Sequence, residues 1–167
     1  MKPLSQYIPV CQSMSREAFV QRYPGPFLVH SSRAGGALIA PAGGKTLDHV
    51  VLDDGGEGED SEIQSVFTVS QFAPRGPELA IGTDPGSGVR IPAASVSRVH
   101  ARLTADGGRW KLEDAGSSMG TWVNGESIDP GSHRFLDPGD RVSLGALDLS
   151  FYPAWAFYDL VREGGEA

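Results

Sequence analysis

A single cysteine, Cys11, stands in this chain of 167 residues, which excludes an intrachain disulfide. No cysteine and histidine cluster has zinc spacing, so no metal is expected. No apolar run approaches the roughly 20 residues needed to cross a bilayer. Lys2 has no long apolar segment behind it, so a secretory signal is not expected either. Positive charge is also short: 14 Lys and Arg face 21 Asp and Glu, for a formal net charge of -7. That balance argues against non-specific nucleic-acid binding, which depends on neutralising phosphates with basic side chains. The excess is concentrated, with Asp53, Asp54, Glu57, Glu59, Asp60 and Glu62 all falling within residues 53–62. The expected location is the cytoplasm, without membrane association or cofactor. There is no internal repeat.

What the chain does have is turn formers, with Gly 22 and Pro 12, a share that suits many short strands. Apolar residues alternate with polar ones from residue 67 onward: Phe67 with Val69, Leu79 with Ile81, Ala101 with Leu103, Trp110 with Leu112, Val142 with Leu144, then Leu147, Leu149 and Phe151. Turn signals such as Asp106-Gly107-Gly108, Asn124-Gly125 and Pro138-Gly139-Asp140 fall between them. This spacing predicts an all-β fold, an antiparallel β-sandwich over residues 67–152. Residues 1–66 read as an N-terminal extension that either adds strands to the sandwich or forms a small lobe. Within it, residues 1–14 read as an extended arm, and Ser15 caps a short helix over 16–23 that Pro24-Gly25-Pro26 stops. Residues 27–30, 37–40 and 49–52 read as strands, and 53–62 as an acidic loop. Residues 153–167 read as a C-terminal helix and tail, with Pro153 at its first position and Ala154, Phe157, Tyr158 and Val161 on one face. That face is expected to pack on its own sandwich, the alternative being a partner chain.

The stretch 95–125 organises the rest. It contains Ser97-Arg98-Val99-His100, a strand, a Gly-rich turn, a second strand ending at Asp114, the loop Ala115-Gly116-Ser117-Ser118-Met119-Gly120, and Thr121-Trp122-Val123-Asn124-Gly125. A fold-back at residues 106–108 brings the two hydroxyl- and glycine-rich loops to one end of a sheet, where binding sites commonly sit. With the later Leu136-Asp137-Pro138-Gly139-Asp140-Arg141-Val142, these pieces resemble the forkhead-associated (FHA) domain family over residues 67–151, about half the chain.

The resemblance implies a β-sandwich that binds phosphothreonine peptides through its loops. The family's arginine, following a glycine, falls at Gly82-Thr83 and is replaced by Thr83. The family's serine is Ser97. In the second loop a hydroxyl remains at Ser118, but the family's asparagine is Met119. A charge-assisted hydrogen bond contributes about 1.5–3 kcal/mol, or roughly 10- to 150-fold in affinity, so the site is expected to be weakened. Arg98 and Arg90 are the substitute cations. The residues expected to bind a phosphopeptide are therefore Ser97, Arg98, Ser118, Arg90, Thr121 and Asn124, with Gly82, His100 and Gly120 as structural support.

Two other readings of these residues fare worse. Ser97, His100 and Asp114 could be taken as nucleophile, base and orienting acid, but no oxyanion-hole glycine motif surrounds Ser97. Gly43-Gly44-Lys45-Thr46 resembles the end of a phosphate-binding loop, yet the glycine required five residues before Gly44 is Ile39. The expectation is thus a non-catalytic interaction module, an adaptor in Ser/Thr-kinase signalling or protein assembly. Its partner would be a protein, Thr-phosphorylated under the phosphopeptide reading. The alternative is a phospho-independent scaffold subunit.

Overall fold

Alternation of apolar and polar residues gives each strand of the computed structural model an inner and an outer face. The structure describes residues 2–33, 62–68 and 78–164. In chain order these form β1 (Lys2–Pro3), a 3-10 turn (Leu4–Tyr7), α1 (Ile8–Ser13), α2 (Arg16–Arg22), β2 (Phe27–Arg33), β3 (Glu62–Thr68), β4 (Glu78–Gly82) and β5 (Val89–Arg90). There follow β6 (Ala101–Asp106), β7 (Arg109–Asp114), β8 (Thr121–Val123), β9 (Glu126–Ser127), β10 (His133–Leu136), β11 (Arg141–Leu144), β12 (Leu147–Tyr152) and α3 (Ala154–Gly164). A seven-stranded sheet in the order β1-β3-β2-β12-β11-β8-β9 packs on a five-stranded sheet in the order β10-β7-β6-β4-β5. Leu28, Phe67, Phe151, Leu149 and Val142 from the first sheet meet Leu79, Ile81, Leu103 and Leu112 from the second in one buried core. This is the expected sandwich. Its one departure from antiparallel pairing among the described residues is β4 with β5, which run parallel because a loop over 83–88 carries the chain back along the strand it has just left.

A second core lies on the outside of the larger sheet. Consecutive residues of β2 divide between the two: Leu28 enters the sandwich, while Phe27 and Val29 turn outward to meet Tyr7, Cys11, Phe19, Phe157, Tyr158 and Val161. The three helices therefore form a layer over β2 and β3. Phe157 stacks on Phe27 with ring centroids 4.0 Å apart, and Tyr7 meets Phe157 edge-on at 5.2 Å. The Tyr158 hydroxyl donates to the Met14 carbonyl at 2.8 Å, and Arg16 pairs with Asp159 at 3.2 Å, so the N-terminal helices and α3 are held in one layer.

Several local expectations change. Residues 1–14 are not simply an extended arm: after the two-residue β1 they form a 3-10 turn and α1, with Pro9 in the first helical turn, where its missing N–H has no partner to lose. Ser15 caps α2 as expected, accepting from the Ala18 amide at 3.3 Å. Helix α3 begins at Ala154, with the Pro153 carbonyl accepting the Phe157 amide at 2.9 Å. It packs on the N-terminal helices, with Phe157 and Tyr158 buried and Trp155 left 49% exposed. The strands read at 37–40 and 49–52, most of the acidic loop at 53–62 and the Gly43–Thr46 motif lie outside the described residues.

Because Phe157 is fully buried between rings of other elements, Phe157→Ala is expected to destabilise the fold by about 3–5 kcal/mol in chemical denaturation. A loss under 1 kcal/mol would show that the helical layer is not part of the cooperative unit.

Candidate functional site

The site is built where β4 and β7 end and where β6 and β8 begin. Its first loop, 83–84, is zipped to the Ser97-Arg98 turn by two backbone bonds: the Thr83 amide to the Ser97 carbonyl and the Asp84 amide to the Arg98 carbonyl, each 3.1 Å. Gly82 makes this approach possible. A β-carbon there would lie 2.0 Å from the Arg98 carbonyl oxygen, so any side chain would push the turn away.

His100 ties the loops together. Its backbone N–H reaches the Ile81 carbonyl at 2.7 Å, and its carbonyl accepts the Ala115 amide at 3.0 Å. The ring is fully buried. Its Nδ1 accepts the Ser97 backbone N–H at 3.0 Å and its Nε2 donates to the Gly120 carbonyl at 2.9 Å. The amide donor at Nδ1 fixes the neutral tautomer protonated at Nε2. Burial lowers the imidazole pKa, outweighing the Gly120 carbonyl and the Asp114 charge, which raise it.

Asp114 shapes the second loop. Its Oδ1 accepts the Gly116 and Ser117 amides at 2.7 and 3.0 Å, and its Oδ2 accepts the Ser117 and Thr121 hydroxyls, both at 2.6 Å. Burial alone would raise this carboxyl, but those hydrogen bonds together hold it below its ordinary value. The Ser117 hydroxyl oxygen accepts the Gly120 amide at 3.0 Å in turn, and Gly120 sits at φ +90, a conformation that glycine alone adopts readily. The Gly120 carbonyl also accepts the Gly145 amide at 3.0 Å, which joins the loop to the β11–β12 turn.

The two loops meet where the Ser118 amide donates to the Ser97 hydroxyl oxygen at 3.1 Å. This leaves the Ser97 O–H able to donate outward, beside the exposed Ser118. Arg98 and Arg90 stand at the Thr83-Asp84 corner of the same rim. The Arg98 guanidinium, on a side chain 84% exposed, pairs with the Asp84 carboxylate at 2.8 Å. Arg90 Nε donates to the Thr83 carbonyl at 3.4 Å.

The structure therefore brings Ser97, Ser118, Arg98 and Arg90 to one rim, braced by Gly82, His100 and Gly120. It does not bring the other two expected residues there. Thr121 is buried with its hydroxyl committed to Asp114. Asn124 lies at the opposite end of β8, at φ +50 in the hairpin turn, where its side chain bonds Asp140 and the Arg141 amide. The catalytic arrangement is not assembled either. The imidazole faces the Ser97 amide and not its hydroxyl, and Asp114 spends both oxygens on its own loop. Among the described residues no group of His, Cys, Asp or Glu could hold a metal ion, and no helix is long and apolar enough to cross a membrane. Two organising residues escaped the sequence reading as such, Asp114 and Asp84. Each is an acid two residues before a glycine whose amide it accepts, which is the signal of an Asx turn.

Fold and loop geometry thus define a β-sandwich recognition module with a polar, partly cationic rim. Residues 79–145 match the family model of the FHA domain. It is 35% identical over 82 residues to the glycogen accumulation regulator GarA of Mycolicibacterium smegmatis, an alignment covering 49% of this chain and 50% of GarA. It is 33% identical over 75 residues to the oxoglutarate dehydrogenase inhibitor of Corynebacterium efficiens, covering 45% and 51% of the two chains. Protein FraH of a Nostoc species is 50% identical over 54 residues, 32% of this chain and 19% of FraH. Among solved structures, the FhaA FHA domain complexed with the intracellular domain of Rv3910 aligns at 21% identity and TM-score 0.44, over 75% of this chain and 99% of that one. The chain spans between about a fifth and a half of these curated relatives.

His100 gives the loop end a pH dependence. Its folded pKa lies below the unfolded value of about 6.5, so the unfolded chain binds the proton more tightly. The stability contributed by the neutral ring is full above about pH 6.5 and is lost as pH falls from there through the folded value. His100→Gln is expected to destabilise the protein at pH 7.5, and the gap to the parent, followed by urea denaturation, is expected to narrow towards pH 5. A gap independent of pH would show that the ring does not titrate between the two states as described.

Proposed function

We propose that this chain is a non-catalytic protein-interaction module that takes a Thr-phosphorylated segment of a partner protein on the rim formed by Ser97, Ser118, Arg98 and Arg90. One observation carries the reading: the Ser97 hydroxyl is fixed against the Ser118 amide at 3.1 Å, within a span that matches the FHA family, with two arginines at the adjoining corner. Hydroxyl and guanidinium groups are donors that suit a phosphate's acceptor oxygens, and the Ser118 amide, spent on the Ser97 oxygen, leaves the Ser97 O–H free to donate. The names of the relatives describe a regulator and an inhibitor, which accords with an adaptor in Ser/Thr-kinase signalling. The proposal takes residues 1–66 as an N-terminal extension, 67–152 as the sandwich and 153–167 as a C-terminal helix and tail, in a cytoplasmic protein.

A second reading, a scaffold that binds its partner without phosphate, draws on Thr83 in the arginine position and on Met119, an apolar side chain 56% exposed on the rim. Fluorescence polarisation with phosphothreonine peptide libraries and their unphosphorylated twins separates the two. Under the first reading, binding requires the phosphate, weakens in Arg98→Ala and Arg90→Ala more at low salt than at high, and tightens about tenfold or more in Thr83→Arg. Equal binding of the unphosphorylated twins would overturn it in favour of the scaffold.

A further inference from the structure

We propose, resting on the phosphothreonine reading, that Asp84 is a specificity-determining residue of the rim that selects peptides with a basic side chain close to the phosphothreonine. The two oxygens of this carboxylate have separate partners. Oδ1 accepts the Gly86 amide at 2.8 Å and builds the turn, whereas Oδ2 holds the Arg98 guanidinium at 2.8 Å. The Asp84 and Thr83 amides are bonded to the Arg98 and Ser97 carbonyls, so the carboxylate is fixed to the same corner that presents Ser97. The Gly86 amide, and after it Arg98, keep the carboxyl ionised by lowering its pKa.

The rim thus contains an anion already seated on one of its two cations. A phosphate dianion that takes Arg98 either draws it from Asp84, leaving a bare carboxylate beside a dianion, or shares it with a like charge next to it. Both arrangements are repulsive. A ligand that carries a cation removes the repulsion, since Arg98 passes to the phosphate and Asp84 to the ligand's basic side chain. The number of ion pairs is then unchanged or raised. Because Arg98 is largely exposed, its pair with Asp84 is of the weak surface kind and exchanges readily. Repulsion of the wrong partner is a common basis of selectivity, and here Asp84 supplies it against ligands that lack a cation.

The test uses the full chain and Asp84→Asn. Asparagine retains an oxygen to accept the Gly86 amide, so the turn stands while the charge is removed, and an unchanged thermal midpoint verifies this. Synthetic phosphothreonine peptides with alanine flanks, and a set with one arginine placed in turn at each flanking position, are titrated with their unphosphorylated twins. The parent protein is expected to bind its best arginine peptide about three- to tenfold more tightly than the all-alanine peptide at low salt. Asp84→Asn is expected to bind the all-alanine peptide more tightly than the parent does and to show no arginine preference. An arginine preference that survives in Asp84→Asn, or is absent from the parent, overturns the proposal. Peptides bound no better than their unphosphorylated twins by either protein overturn the phosphothreonine reading itself, a separate failure.

Discussion

The loop end hangs on the His100 imidazole. The ring is buried between two backbone groups that belong to different loops, the Ser97 amide and the Gly120 carbonyl, and each finds its partner there. Without the ring the Ser97 amide would be left unpaired, at a cost of about 1–3 kcal/mol, and the Gly120 carbonyl would keep only the Gly145 amide. Only a neutral imidazole offers one acceptor and one donor on opposite edges. A protonated ring would set an N–H against the Ser97 N–H, so burial and geometry favour the same charge state. The residue's own backbone then carries the constraint into the sheet, through Ile81 at the end of β4 and Ala115 at the end of β7. The β4–β6–β7 register thereby determines where both loops begin.

The second loop depends on a different kind of group. Asp114 is an acid in a buried position, which is unfavourable unless each oxygen is satisfied. Here the satisfying donors are the loop itself, two amides and two hydroxyls, so the loop folds around the charge. This explains why a serine, a histidine and an aspartate can lie close together without forming a catalytic relay. Each is already bonded in a direction that leads away from the others. The same satisfaction takes Thr121 out of the recognition surface, although its position in the sequence suggests a rim residue.

Much of this was legible in the sequence, and the legible part has a common physical origin. Period-two alternation reports which face of a strand is buried, and it gave the sandwich, including the inward positions of Leu79, Ile81, Leu103 and Leu112. Ser97, His100 and the glycines were readable because short motifs with fixed spacing encode close backbone approaches. The helical layer was only partly readable. Leu28 and its neighbours Phe27 and Val29 form a continuous apolar run, the pattern of a strand buried on both faces, but a run of three does not say what covers the second face. Pro9 suggested extended chain because a proline at the start of a helix and one in an arm are locally alike. Asn124 stands in the turn that Asn124-Gly125 signals, and whether that turn lies beside the rim or at the far end of the three-residue β8 depends on the strand's pairing with β11.

The bracing and the charge of this rim are separable, and that separation explains how a departure such as Thr83 can coexist with an intact loop end. The bonds that assemble the loops run through the Thr83, Asp84, Ser97, Ser118 and Gly120 backbones, the His100 ring and the Asp114 carboxylate. None of them uses the Thr83 side chain, so exchanging an arginine for a threonine there alters electrostatics and leaves the architecture standing. The cations that remain are positioned by other means, Arg90 by a short strand and Arg98 by the turn next to Ser97, and one of them already faces an internal carboxylate. Shape at this site is therefore set by groups that cannot change without unfolding the loops. Charge is set by exposed side chains that can, so ligand preference can be retuned at the Thr83-Asp84 corner while the braced frame remains constant.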